Sequence, residues 1–152
     1  MKFTPAQTQA LVGVSTETLR YWKKHLGPIA ERRGHAPCYS RAEVLALLVV
    51  RHLVRNFSID ISTLGKHADQ LFAACAMQWI TIGNRWLIVK TDGEVIVRDT
   101  TAQLELTEPV IVIPLAAVVR ELNEHLTDQD TNPQMPLALP PIALTRPAGG
   151  SR

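Results

Sequence analysis

The 152-residue sequence predicts an α+β protein, helical over its first half and mixed beyond. Three observations carry this prediction. Near the N-terminus, hydroxyl residues precede short apolar-periodic runs and stand three before a Gln or Glu, which is a helix-start signal. From Trp79 onward the apolar residues change from a helical to an alternating period, with Asp92-Gly93 marking a hairpin turn. The last stretch is Pro-rich, with Pro140 and Pro141 adjacent.

The elements follow in order. Thr4 caps a helix beginning at Pro5, Gln7 completes the capping box, and Ala6, Ala10 and Leu11 form its apolar side. Gly13 breaks that helix. Ser15 caps a second one, in which Leu19, Trp22 and Leu26 face inward while Thr16, Glu17, Arg20, Lys23 and Lys24 occupy other faces. Gly27-Pro28 ends it. Two short helices joined by a tight glycine turn make a helix-turn-helix pattern, which also occurs in proteins that never touch DNA. Residues 28–39 read as an irregular basic segment with Arg32, Arg33 and His35 around Gly34. Ser40 and Glu43 then open a long helix, Arg41 to Asn56, nearly apolar on most sides, with Arg51, His52 and Arg55 at its wetter end. A further helix starting at Asp60 or Ser62 runs to about Cys75, with Leu64, Ala68, Leu71 and Phe72 as its stripe.

Beyond it, Trp79–Ile82 and Trp86–Val89 are short apolar runs flanking Gly83-Asn84. Their tryptophans belong to a sheet core or line a ligand site. Glu94–Arg98 is a returning strand and Thr107–Ile113 another. Pro114 starts a helix with Leu115, Val118, Val119, Leu122 and Leu126 on one face. So small a sheet needs a partner surface, either the first domain or a second chain. The expected organisation is therefore a helix-turn-helix domain over 1–75, a small hairpin-and-helix domain over 76–126 that dimerises, and an extended or disordered Pro-rich tail over 127–152. In that tail Met135, Leu137, Leu139, Ile142 and Leu144 could lie across the body or a partner.

Charge separates the halves. Residues 1–55 carry nine Lys or Arg against three Glu, a balance of +6. Residues 56–152 carry seven against eleven Asp or Glu, a balance of −4. A basic front suits a polyanion, or is a solvated face. Cys38 and Cys75 are no disulfide framework, and no CxxC pair offers a zinc site. No metal or cofactor is expected. With no apolar leader and no span-length apolar run, the expectation is a cytoplasmic protein with no membrane contact. Neither a phosphate-binding glycine motif nor a catalytic constellation is readable, so no enzymatic activity is expected.

Four motifs carry a family likeness: Gly13-Val14-Ser15, Thr18-Leu19-Arg20-Tyr21-Trp22, Arg32-Arg33-Gly34 and Tyr39-Ser40. With them, Phe3–Leu53 resembles the winged helix-turn-helix domain of the mercury-resistance regulator (MerR) family, and the likeness extends more weakly to Cys75. The resemblance implies that Arg20 and Tyr21 meet phosphates, that Thr16, Glu17 and Lys23 face the major groove or its rim, and that Arg32 and Arg33 lie in the wing. The candidate DNA-contacting residues are Thr16, Glu17, Thr18, Arg20, Tyr21, Lys23, Lys24, Arg32, Arg33, His35 and Tyr39. Of these, Lys23 and Lys24 read equally as solvated ends, and Tyr39 is also a structural candidate. Glu17 replaces the family's usual Arg, and either reads a base edge or pairs with Arg20 or Arg33. The family's long coiled-coil helix is absent after Cys75, so its mode of dimerisation does not carry over.

These readings converge on a sequence-specific regulator of transcription that binds double-stranded DNA as a homodimer on an inverted repeat, with room for a protein or small-molecule effector on the C-terminal half. The competing readings are an excisionase-like architectural protein, and an antitoxin or phage-type control factor whose second half binds a protein.

Overall fold

The computed structural model describes residues 1–100 and 106–131, without the side chains of Trp79, Ile80 and Thr131. The expected tail falls from residue 132 onward outside the described residues, and its apolar residues Met135 to Leu144 with it.

The order is β1 (Lys2–Phe3), α1 (Pro5–Val12), α2 (Thr16–His25), a 3-10 turn (Gly27–Ile29), β2 (Tyr39–Ser40), α3 (Arg41–Phe57), α4 (Ile61–Gly65), α5 (Ala68–Cys75), α6 (Trp79–Ile82), β3 (Arg85–Lys90), β4 (Val95–Asp99), β5 (Val110–Pro114) and α7 (Leu115–Thr131). The caps read in the sequence are formed. Thr4 with Gln7 and Ser40 with Glu43 make reciprocal capping boxes, and Ser15 accepts from the Thr18 amide. Each satisfies amides that an α-helix leaves unpaired at its start.

Helix α3 is the centre of the structure. Val44 through Val50 are all fully buried, on every side of the helix. A helix apolar all round has to be enclosed, and α1, α5 and α7 enclose this one. Helix α1 buries Thr8, Leu11 and Val12 against it, whereas Ala6 and Ala10, expected on the apolar side, are exposed. The helix expected from Asp60 to Cys75 is two helices. The break falls at Lys66-His67, where α4 ends after one turn and α5 restarts without a side-chain cap.

The second sheet has the order β4-β3-β5, antiparallel throughout, with Leu87 opposite Val97 and Ile113. Leu87, Val89 and Ile113 join the main core, with Val95, Val97 and Ile111 against it. By alternation Trp86, Ile88, Ile96 and Val112 share the opposite face. Trp86 is thus half-buried on the face away from the helices. The run Trp79–Ile82, read among the stranded segments, is instead a single helical turn.

The largest departure concerns α7. Its apolar face was expected to offer surface that its own sheet could not cover. Leu115, Val118 and Leu122 are buried within this chain, against α3 and β3, with Val119 and Leu126 partly so. The helix folds back on the first half of the chain, which covers most of that face. Polar bonds fix the contact. Glu121 pairs with Arg51 and, at 2.6 Å, with His52, while Arg41 donates to Asn123 at 2.6 Å.

Two glycines bring backbone against backbone. A Cβ at Gly65 would stand 2.5 Å from the His25 carbonyl oxygen at the end of α2. One at Gly93, in the β3–β4 turn at φ 88°, would stand 2.6 Å from the Thr63 carbonyl oxygen in α4.

Two outcomes follow. Leu48→Ala, at the centre of α3, should cost about 2–5 kcal/mol in urea denaturation, the range for a buried leucine whose site cannot collapse. The second concerns Glu121, whose pKa lies below its ordinary value of 4.5. Burial raises it, but the hydrogen bond from His52 and the charges of Arg51 and His52 outweigh burial. A carboxylate so lowered contributes stability above its ordinary value and loses that contribution as pH falls through the lowered one. Between neutral pH and about pH 3 the urea midpoint should therefore fall further for the native chain than for Glu121→Gln.

Candidate nucleic-acid interface

The turn between α1 and α2 is built by Gly13 in the left-handed region, φ 73°. Its amide and that of Val14 both donate to the Gln9 carbonyl, at 2.8 and 3.1 Å. Ser15 then opens α2, whose Leu19 and Trp22 anchor it in the core at 3% exposure each. This leaves the other side of a ten-residue helix, about 15 Å of it, turned outward.

Glu17, Arg20, Tyr21 and Lys24 are exposed on that side, with Thr16 at its start and Lys23 half-buried. Tyr21 is 50% exposed and stands edge-on to His25 at 4.8 Å between ring centroids. Its ring therefore lies outside the core. Among the described residues Glu17 forms no ion pair with Arg20 or Arg33. Thr16 donates to the Gln9 side chain at 3.0 Å, tying the start of α2 to α1. The Thr18 hydroxyl is engaged with Ser15 at 2.9 Å, within the cap.

The loop from Ala30 to Cys38 stands beside α2. Arg33 and His35 are exposed there, around Gly34 at φ 83°. An open groove of about 330 Å³ runs between α1, α2 and this loop, bordered by Gln9, Thr16, Arg20, Lys23, Gly34 and His35. The structure thus brings Thr16, Arg20, Lys23 and His35 to one concavity, with Tyr21, Lys24 and Arg33 outside its lining.

Two expected contacts lie elsewhere. Arg32 is turned to Glu43, at 2.5 Å, and the hydrogen bond and charge of that carboxylate raise its pKa. Glu43 also accepts from the Ser40 amide at 2.7 Å. Arg32 therefore pins the loop to the start of α3. Tyr39 is 1% exposed, and burial foremost pushes its hydroxyl up to about 12. It pairs with Phe3 in the β1–β2 ladder and underlies the groove as a packing residue. Its ring is the anchor of the strand pair, which is why it has no surface for a phosphate.

Several residues that shape the site are not readable as such in sequence. Gln9 holds Thr16. Arg51 donates to the Val12 carbonyl at 3.0 Å, and Arg55 to the Gly13 carbonyl at 2.9 Å. The available signal is the glycine turn itself, since the last carbonyls of α1 have no helical donor and must find one. Cys75 is buried, and burial pushes its thiol up to about 12. Among the described residues no three His, Cys, Asp or Glu cluster as metal ligands would, and no helix is long and apolar enough to cross a membrane.

Residues 3–63, about two fifths of the chain, match the family described as MerR HTH family regulatory protein. The match ends inside α4, so the sheet and α7 lie beyond it. Comparison with curated proteins finds no match. The cap, glycine turn, exposed α2 and basic loop described above lie within the matched stretch, so residues 3–63 of this chain are similar to the helix-turn-helix segment of MerR-family regulatory proteins.

Proposed function

We propose that this protein is a sequence-specific regulator of transcription that binds double-stranded DNA as a homodimer on an inverted repeat, in the cytoplasm. The observation that carries the reading is the outer side of α2. Arg20, Tyr21 and Lys24 are exposed along a helix whose opposite side is locked in the core, and Arg33 and His35 flank it on the loop. Cations at the ends and rim of such a helix bind phosphates and set its register in the major groove, while Glu17 and Thr16 at its first turn are placed for base edges. Glu17 accepts from a cytosine amine in this reading, because no arginine occupies it. No enzymatic activity enters the proposal.

A ten-residue helix reads only a short half-site, so two copies on a palindrome supply the specificity. We assign the contact between copies to the unit from residue 76 to 126. With the α7 face packed internally, an apolar feature among the described residues is β5, an edge strand free of charged side chains. Val112 and, beside it at the end of α3, Phe57 are 37% and 49% exposed. An uncharged edge strand pairs readily with another strand. A protein or small-molecule effector would find a cavity of about 220 Å³ nearby, lined by His52, Phe57, Val112, Pro114, Ala117 and Glu121.

Selection of bound duplexes from a random library tests the reading, with inverted repeats as the expected product and no enrichment as the outcome that rejects it. Affinity should fall steeply as salt rises. Arg20→Ala should weaken cognate and random DNA alike, by roughly tenfold for one charged hydrogen bond. Glu17→Ala should shift base preference at one position more than total affinity. Light scattering at micromolar concentration should give twice the 16.8 kDa chain mass, and a single-chain mass there would reject the dimer.

A further inference from the structure

Helix α1 ends in three consecutive carbonyls, Leu11, Val12 and Gly13, and each is met by a side chain. His125 of α7 stands 2.7 Å from the Leu11 oxygen through Nδ1. Arg51 of α3 donates to Val12 at 3.0 Å, and Arg55 to Gly13 at 2.9 Å. Arg51 does not stand alone, because its other terminal nitrogen is paired with Glu121 of α7. Glu121 and His125 are four residues apart, hence on one face of α7.

The remaining polar atoms around Glu121 are also engaged. Its second oxygen lies 2.6 Å from His52 Nε2, and His52 Nδ1 lies 3.0 Å from the Asn56 amide nitrogen. Both ring nitrogens of His52 are engaged, one with the carboxylate and one with Asn56. The network thus fixes the carboxylate, and the carboxylate fixes the guanidinium. That guanidinium also packs on the turn itself, its Nη1 standing 3.1 Å from where a Cβ on Gly13 would lie. Between this turn and the Ser15 cap of α2 there is only Val14.

We propose that Glu121 is a positioning residue for DNA binding: acting through Arg51, and beside His125, it sets the turn from which α2 departs. The C-terminal helix thereby governs the aim of the recognition helix without touching DNA. The inference rests on the proposed DNA-binding role of α2 for its function, though the mechanical coupling has a readout of its own.

The test is a double-mutant cycle in the full chain with Glu121→Gln, Arg51→Met and both together, read by affinity for a selected duplex and by amide hydrogen exchange at Gly13 and Val14. Glu121→Gln should lower affinity by about fivefold or more, the lower end of coupling between sites. It should also speed exchange at both amides. Neither effect should recur when Arg51 is already Met, because residues acting in series are not additive. Leu122→Ala, which loosens the same helix without touching the carboxylate, should lower Tm and leave affinity within about twofold below the melting range. Equal affinity and exchange in Glu121→Gln, additive effects with Arg51→Met, or an equal loss of affinity in Leu122→Ala would each overturn the inference. If the native chain enriches no duplex, the DNA-binding reading fails, and the exchange data alone then decide whether Glu121 controls the turn.

Discussion

The rest of the structure depends on the burial of α3. A helix with no exposed side chain from Val44 to Val50 cannot exist unless every side of it is covered. The helix-turn-helix supplies one cover, α5 another, and α7 the third. The polar residues of α3 are confined to its ends, and there they work as joints. Glu43 gathers the Ser40 amide and Arg32 at the start, while Arg51, His52 and Arg55 reach the α1 turn and α7 at the finish. One helix therefore both fills the core and fastens the loop, the turn and the C-terminal unit to it.

Much of this was legible in sequence where the cause is local. The capping boxes, the glycine turn at Gly13, the Asp-Gly hairpin and the apolar face of α7 each depend on residues within a few positions of one another. What escaped depends on distant partners. Arg32 reads as a basic loop residue until Glu43, eleven positions on, is seen beside it. Tyr39 reads as a wing residue until its pairing with Phe3 puts it inside. The face of α7 is legible in sequence, but the choice between its two possible covers, the first domain and a second chain, is not, because a hydrophobic stripe announces that it will be buried and not against what. The turn Trp79–Ile82 is four residues long, a length at which period cannot separate helix from strand.

The exposed side of α2 was the most legible part of the site. Its outward residues follow from the inward spacing of Leu19, Trp22 and Leu26, which places Thr16, Glu17, Arg20, Lys23 and Lys24 on other faces; all of these but the half-buried Lys23 are exposed. The groove beside it was not, because its walls come from α1 and from the loop that Arg32 pins. A helix reads its own periodicity, whereas a concavity is a property of at least two elements.

The glycines at 65 and 93 bear on how this chain could be taken apart. At both, main chain rests on main chain, His25 against Gly65 and Thr63 against Gly93. Contacts of this kind have no side chain to lengthen, rotate or replace. They run from the end of α2 through α4 to the hairpin of the second sheet, so the two halves of the chain are registered against each other rather than strung on a linker. A cut after Cys75 would strip α3 of the cover that α7 provides, and would take His125 from the Leu11 carbonyl and Glu121 from Arg51. The matched family segment is thus a portion of a larger solid. Grafted onto another chain, it would keep its sequence motifs and lose the surfaces that define their angle.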